Sequence, residues 1–133
     1  MIITLKNIYY KQNEEVIEYK DIYLETSMGV LRLYVSGLGV ENNANLELMD
    51  RLTEIDDLKE KYGNLNIDEI RRTYDNDIYL LLSGKFILAI EYILNSSFNH
   101  SIQEFRIIED VNGQNKKELE NFKEMDLLEL PVF

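Results

Sequence analysis

His100 is the one histidine in this chain, which has no cysteine and no tryptophan. A nucleophile activated by a base and an orienting third group would have to be built around that single imidazole. It sits between Asn99 and Ser101, in polar sequence that reads as a surface loop. Structural zinc favours Cys and His ligands, so one candidate in the whole chain effectively excludes it. Any chemistry then falls to the 25 Asp and Glu residues. Asp75-Asn76-Asp77 opens like a calcium loop, but Leu80 occupies the position that needs Gly. Asp110-Val111-Asn112 also lacks that Gly, and Asn121 stands where the closing bidentate Glu belongs. Both read as turns.

Three shorter patterns fail on context. Glu18-Tyr19-Lys20 has the form of the E-x-K piece of a metal-dependent nuclease strand, yet no acidic residue lies between Met1 and Asn13 to complete a metal site. Asp57-Leu58-Lys59 has the same form on a predicted helix. Gly37-x-Gly39 lacks the third Gly and the following Lys of a phosphate loop. A carboxylate pair for glycoside chemistry has many possible members, and nothing in the sequence selects two of them. The expectation is a protein that is not an enzyme and uses no metal or cofactor.

What remains is where the acid lies. The formal net charge is −11, with 14 Lys and Arg against the acids. By segment it is −1 for residues 1–40, −4 for 41–62, −2 for 63–100 and −4 for 101–133. No segment is basic, and Arg71-Arg72 and Lys116-Lys117 are isolated pairs with acids nearby, so direct nucleic-acid binding is disfavoured. Glu47, Asp50, Glu54 and Asp57 are spaced 3, 4 and 3 apart, which on a helix lines them along one stripe, widened by Asp56 and Glu60. A solvated face explains such a stripe. So does a contact surface for a cationic partner, where charge steers association and screens out wrong partners. Of nine Tyr, Tyr9, Tyr10, Tyr19, Tyr23 and Tyr34 fall in the first forty residues. Strand propensity and core packing account for most of them. Tyr9 and Tyr10 are adjacent and point to opposite faces of a regular strand, so Tyr9, Tyr10 or Tyr34 is available as an aromatic anchor.

These residues need elements to hold them. With 45% hydrophobic residues and 11% aromatics over 133 residues, the chain has the apolar surface to fold as one domain, 1–133, despite its charge. Ile2–Leu5 leading to Ile8–Tyr10, then Val16–Glu25, then Val30–Ser36 predict a three-stranded antiparallel meander. Its third strand places Leu31, Leu33 and Val35 inward and Arg32 and Tyr34 outward. A phase change between Ile17/Tyr19 and Ile22/Leu24 predicts a bulge near Lys20-Asp21 or a break there. Thr26–Gly29 is a turn, and Ser36–Asn43 a loop.

From Ala44 to Tyr62 the period becomes helical through Leu48, Leu52, Ile55, Leu58 and Tyr62, with Asn43 or Asn45 as cap and Gly63 as terminator. A shorter helix is predicted over Ile67–Tyr74, with Asn66 and Glu69 as a capping pair. Ile78–Ser83 and Phe86–Leu94 read as a hairpin buried on both faces, or as one buried helix. Ile102–Glu109 reads as a strand, Val111–Gly113 as a turn, Lys116–Met125 as a helix, and the tail 127–133, with Pro131, as an edge strand. The fold class expected is α+β: a mostly antiparallel sheet, an N-terminal three-stranded meander plus a buried hairpin, packed by one main amphipathic helix and shorter ones.

The first residues show no signal-peptide core, Lys85 and Glu91 interrupt the longest apolar stretch, and zero Cys suits a reducing compartment. The N-x-Ser sequons at Asn95 and Asn99 are then chance matches. A cytoplasmic protein that does not engage membranes is the expectation. The function that fits is a small acidic inhibitor, of the toxin-immunity or phage anti-defence kind, masking a basic surface of a nuclease or other nucleic-acid-binding protein. Its contacts would be Glu47, Asp50, Glu54 and Asp57, with Tyr9, Tyr10 or Tyr34 as anchors. The alternative is an adaptor or oligomeric interaction subunit whose charge serves solubility.

Overall fold

Strand-forming sequence dominates, and the sheet it builds is larger than the sequence predicts. The computed structural model describes residues 2–15, 20–34, 37–41, 43–73, 75, 77–95 and 100–125, with backbone alone for 34, 37, 92–95 and 100–103. Four antiparallel strands open the chain: β1 (Thr4–Gln12), β2 (Lys20–Thr26), β3 (Gly29–Tyr34) and β4 (Gly37–Val40). The fourth replaces the predicted loop. Leu38 pairs with Leu33 and Val40 with Leu31, so this short segment extends the same apolar face despite its glycines. In β2, Ile22 and Leu24 enter the core while Asp21 and Tyr23 are buried on the opposite face. The β1–β2 bulge falls in β1 at Lys6, where Leu5 pairs with Thr26 and Asn7 with Glu25. Residues 16–19, Val35 and Ser36 lie outside the described residues.

The predicted main helix is not formed. Between Ala44 and Tyr62 the chain makes a 3-10 turn at Leu46–Leu48, a two-residue strand β5 (Asp50–Arg51), a second 3-10 turn at Thr53–Ile55, and only then a short helix α1 (Asp56–Tyr62). The cause is the open side of β1. Beyond Leu5 that edge has lost its neighbouring strand, and Asp50 and Arg51 fill it by pairing with Tyr10 and Tyr9. The Leu52 N–H then donates to the Ile8 carbonyl at 2.8 Å. Satisfying those backbone groups outweighs the propensity of a marginal helix. Asn45 precedes the first 3-10 turn without a side-chain cap, whereas Gly63 does terminate α1, at φ 79°.

The predicted second helix is also a strand, β6 (Leu65–Arg72). Asp68 is an extra residue in its pairing with β7 (Ile78–Leu82), since Ile67 faces Leu82 and Glu69 faces Leu81. That bulge puts Ile67 and Ile70 on one face at a spacing of three, which imitates a helix. The hairpin of β7 and β8 (Phe86–Asn95) forms as expected and is buried on both faces. β9 (His100–Glu109) pairs along the whole of β8, so His100, expected in a loop, opens a strand opposite Asn95. The predicted last helix is shorter, α2 (Gln114–Leu119). It is followed by a turn and by β10 (Lys123–Glu124), which pairs with β6. The tail 127–133 lies outside the described residues.

The strand order is β4-β3-β2-β1-β6-β7-β8-β9, with β5 on β1 and β10 on β6. The architecture is a mostly antiparallel sheet with two short helices, consistent with an α+β chain. Its two halves join where β1 meets β6, through the pairs Thr4–Asn66 and Leu5–Leu65. Both strands bulge next to this short seam, and bulges increase twist and bend. The sheet folds over there, so Ile8, Ile22, Leu24, Leu31 and Leu33 share one core with Ile70, Leu80, Leu82 and Leu88. Across the fold Tyr10 meets Phe105 with ring centroids 5.2 Å apart. On the outer face Leu119 of α2 covers Leu81 and Ile87. Among the described residues no helix is long and apolar enough to cross a membrane.

Candidate acidic interaction site

Several carboxylates in the described structure are engaged. Asp21 and Glu41 flank Arg32, Glu69 and Glu124 hold Arg71, and Glu91 binds Arg106. Glu91 also accepts the Tyr79 phenol at 2.8 Å. Burial and that carboxylate push the Tyr79 pKa well above the ordinary tyrosine value. Asp68 accepts the Gly84 N–H, and Asp110 accepts the N–H groups of Asn115 and Lys116 at the start of α2.

Glu47, Asp50, Glu54 and Asp57 differ from these. All four are exposed, and none makes a hydrogen bond or ion pair with another described residue. They do not lie on one helical stripe. Glu47 is in the first 3-10 turn, Asp50 in β5, Glu54 in the second 3-10 turn and Asp57 in the first turn of α1. The irregular path of residues 46–57, anchored on β1 by β5, carries all four.

Cations in this stretch are already committed. Arg51 binds Asp56 at 2.7 Å, and that hydrogen bond lowers the Asp56 pKa and raises that of Arg51. Lys59 donates to the Lys6 carbonyl. Leu48, expected in the core stripe, is instead 82% exposed, in the same stretch of chain. Only the register of β5 on β1 reveals this, and a two-residue strand leaves no periodicity to find.

The three tyrosines separate. Tyr10 packs on the core against Phe105, with the Lys20 ammonium 5.0 Å from its ring. Tyr9 lies half-buried on the opposite face, paired with Tyr23 on one side and Arg51 on the other, so it adjoins the acidic stretch. Tyr34 ends β3, and its side chain lies outside the described residues. Of the residues tested for catalysis or metal, Glu18 and Tyr19 also lie outside, and Asp57-Leu58-Lys59 lies on α1. Among the described residues no three His, Cys, Asp or Glu side chains gather as a metal site.

A second feature has no sequence signal. A cavity of about 230 Å³ opens beside the β6–β10 pair, lined by Arg72, Thr73, Asn121, Phe122 and Lys123. Phe122 stacks on Tyr79 at a 12° interplanar angle, and its carbonyl accepts from Arg71 at 3.0 Å. No family model, curated protein or solved structure matches this chain.

Proposed function

We propose that this protein is a small acidic, non-enzymatic binding protein. It would act as an inhibitor of the toxin-immunity or phage anti-defence kind, masking a basic surface of a nuclease or other nucleic-acid-binding protein. The observation that carries the reading is the set of four exposed carboxylates without intramolecular partners, Glu47, Asp50, Glu54 and Asp57, in one stretch with the exposed Leu48. Carboxylates already paired within a fold have little left to offer a partner's Lys or Arg. These four do, and an apolar side chain in the same stretch supplies area that loses water on contact. Tyr9 extends the same surface.

The test is affinity capture of the partner from the source cell, followed by Asp50→Lys with Glu54→Lys. Reversing two interface charges should weaken binding at least tenfold at low salt, with most of the change in association rate. Unchanged affinity in the folded variant would eliminate this surface. The adaptor reading draws on β9, a ten-residue strand that ends the strand order. A complex formed through such an edge would persist at high salt, whereas an electrostatic one weakens.

A further inference from the structure

The two ends of the strand order are unlike. β4 is four residues long and carries two glycines, a short edge of the kind that resists further pairing. β9 is ten residues long, contains no Pro and no Lys, and pairs with β8 along its whole length without a bulge. Among the described residues no strand covers its other side. We propose that a second copy of this chain covers it, by antiparallel pairing of β9 with β9 about a two-fold axis at Phe105.

Backbone geometry restricts the register. The Asp110 N–H donates to the Lys85 carbonyl at 2.7 Å, which continues the β8–β9 ladder one position beyond Phe86–Glu109. Hydrogen-bonded positions alternate along an antiparallel pair, so Ile108, Arg106 and Glu104 turn their N–H and C=O groups toward β8. Those of Glu109, Ile107, Phe105 and Gln103 turn outward. Two copies exchange bonds when these outward residues face one another, which requires an axis at a residue and not between two.

Charge then chooses the residue. An axis at Glu104 sets Glu104 against itself, and an axis at Arg106 does the same to Arg106; like charges directly opposite are destabilising. Axes nearer either end shorten the paired length. An axis at Phe105 keeps nearly the whole strand and places Glu104 opposite Arg106 of the second copy, twice. Both side chains are available. Glu104 is exposed, stands opposite Glu91 of its own chain, and makes no ion pair among the described residues. Arg106 is 60% exposed, and it binds Glu91 through Nε and Nη2, which leaves Nη1 to donate to a second carboxylate. The pairing therefore offsets the Glu91–Glu104 repulsion without breaking the bond Arg106 already has. It stands apart from the acidic stretch and does not depend on the partner proposed there.

The test is sedimentation equilibrium of the full chain over a range of concentrations. The mass should rise from 15.7 kDa toward twice that value. A dissociation constant of ~10 μM is expected for so narrow an interface. Glu104→Arg should weaken the dimer at least about tenfold and retain the fold, since an arginine there would face Glu91. Glu104→Arg with Arg106→Glu restores opposite charges across the axis and should restore the dimer. Amides of Gln103, Phe105 and Ile107 should exchange with solvent more slowly as concentration rises. Asp50→Lys with Glu54→Lys should leave the dimer in place. A monomer at every concentration, a dimer indifferent to Glu104→Arg, a folded double swap that stays monomeric, or exchange of those three amides independent of concentration would overturn the proposal. So would a dimer lost on reversing Asp50 and Glu54, which would move the interface to the acidic stretch.

Discussion

At the scale of single residues, Tyr79 ties the outer face of the sheet together. Its phenol donates to Glu91, which also takes the Arg106 guanidinium at 2.8 Å, and its ring lies under Phe122. Because its folded pKa is raised, the proton stays bound in the folded chain at pH values where the unfolded chain has lost it. The stabilisation is complete below the unfolded tyrosine value of about 10 and declines as pH climbs from there. Urea midpoints measured from about pH 8 to pH 11 should fall above pH 10, and Tyr79→Phe should flatten that fall. At neutral pH the same substitution should cost ~1 kcal/mol for the lost hydrogen bond. A steeper alkaline fall in the variant would contradict this. In the core, Leu80 is fully buried among side chains from both halves of the sheet, so Leu80→Ala should cost about 2–5 kcal/mol in urea unfolding.

At the scale of elements, short connections with defined chemistry fix the register. The three-residue β7–β8 turn, Ser83–Lys85, places Ser83 at φ 52° and Gly84 at φ 66°, and the Lys85 N–H donates to the Leu82 carbonyl at 3.1 Å, so two successive left-handed residues reverse the chain. A side chain at 84 meets no neighbour but must hold that φ, so Gly84→Ala should lower stability by roughly 1–2 kcal/mol. Asp110 caps α2 through two N–H groups, and Asp110→Ala should cost about 1 kcal/mol, read as a lower thermal midpoint. This turn and hairpin were legible in the sequence because Gly84 and Asn112-Gly113 interrupt long runs. The core face of β3 and the burial of β7 and β8 on both faces were legible too.

The segments 44–62 and 67–74 were not. In the first, apolar spacing matched a helix, but Leu48 and Tyr62 are exposed and only Leu52 and Ile55 are fully buried. The open edge of β1 decided the outcome, and that is a demand from outside the segment. In the second, the bulge at Asp68 produced the helical spacing. The acids of the candidate site were legible as residues and not as a stripe, and the Arg72–Lys123 cavity depends on a strand pairing that has no local pattern.

At the scale of the molecule, charge and fold are only loosely coupled. Arg32, Arg51, Arg71 and Arg106 each hold a carboxylate, yet the 25 acids exceed all 14 Lys and Arg, so repulsion among acids outlasts any local pairing. Salt shortens the reach of such repulsion, from roughly 30 Å at 0.01 M to roughly 3 Å at 1 M, and surface ion pairs contribute little for salt to remove. The urea midpoint should therefore rise between about 20 mM and 500 mM NaCl with the denaturant slope unchanged. A falling midpoint would mean that ion pairs dominate. The same balance separates folding from function in the acidic stretch. The side chains of Asp50 and Glu54 make no hydrogen bond or ion pair among the described residues, so the double lysine variant should match or exceed the parent in low-salt stability and depend less on salt. Lost partner binding in a variant that is no less stable would then be a property of the surface, whereas an unfolding free energy lowered by more than about 1 kcal/mol would show that these acids serve the fold.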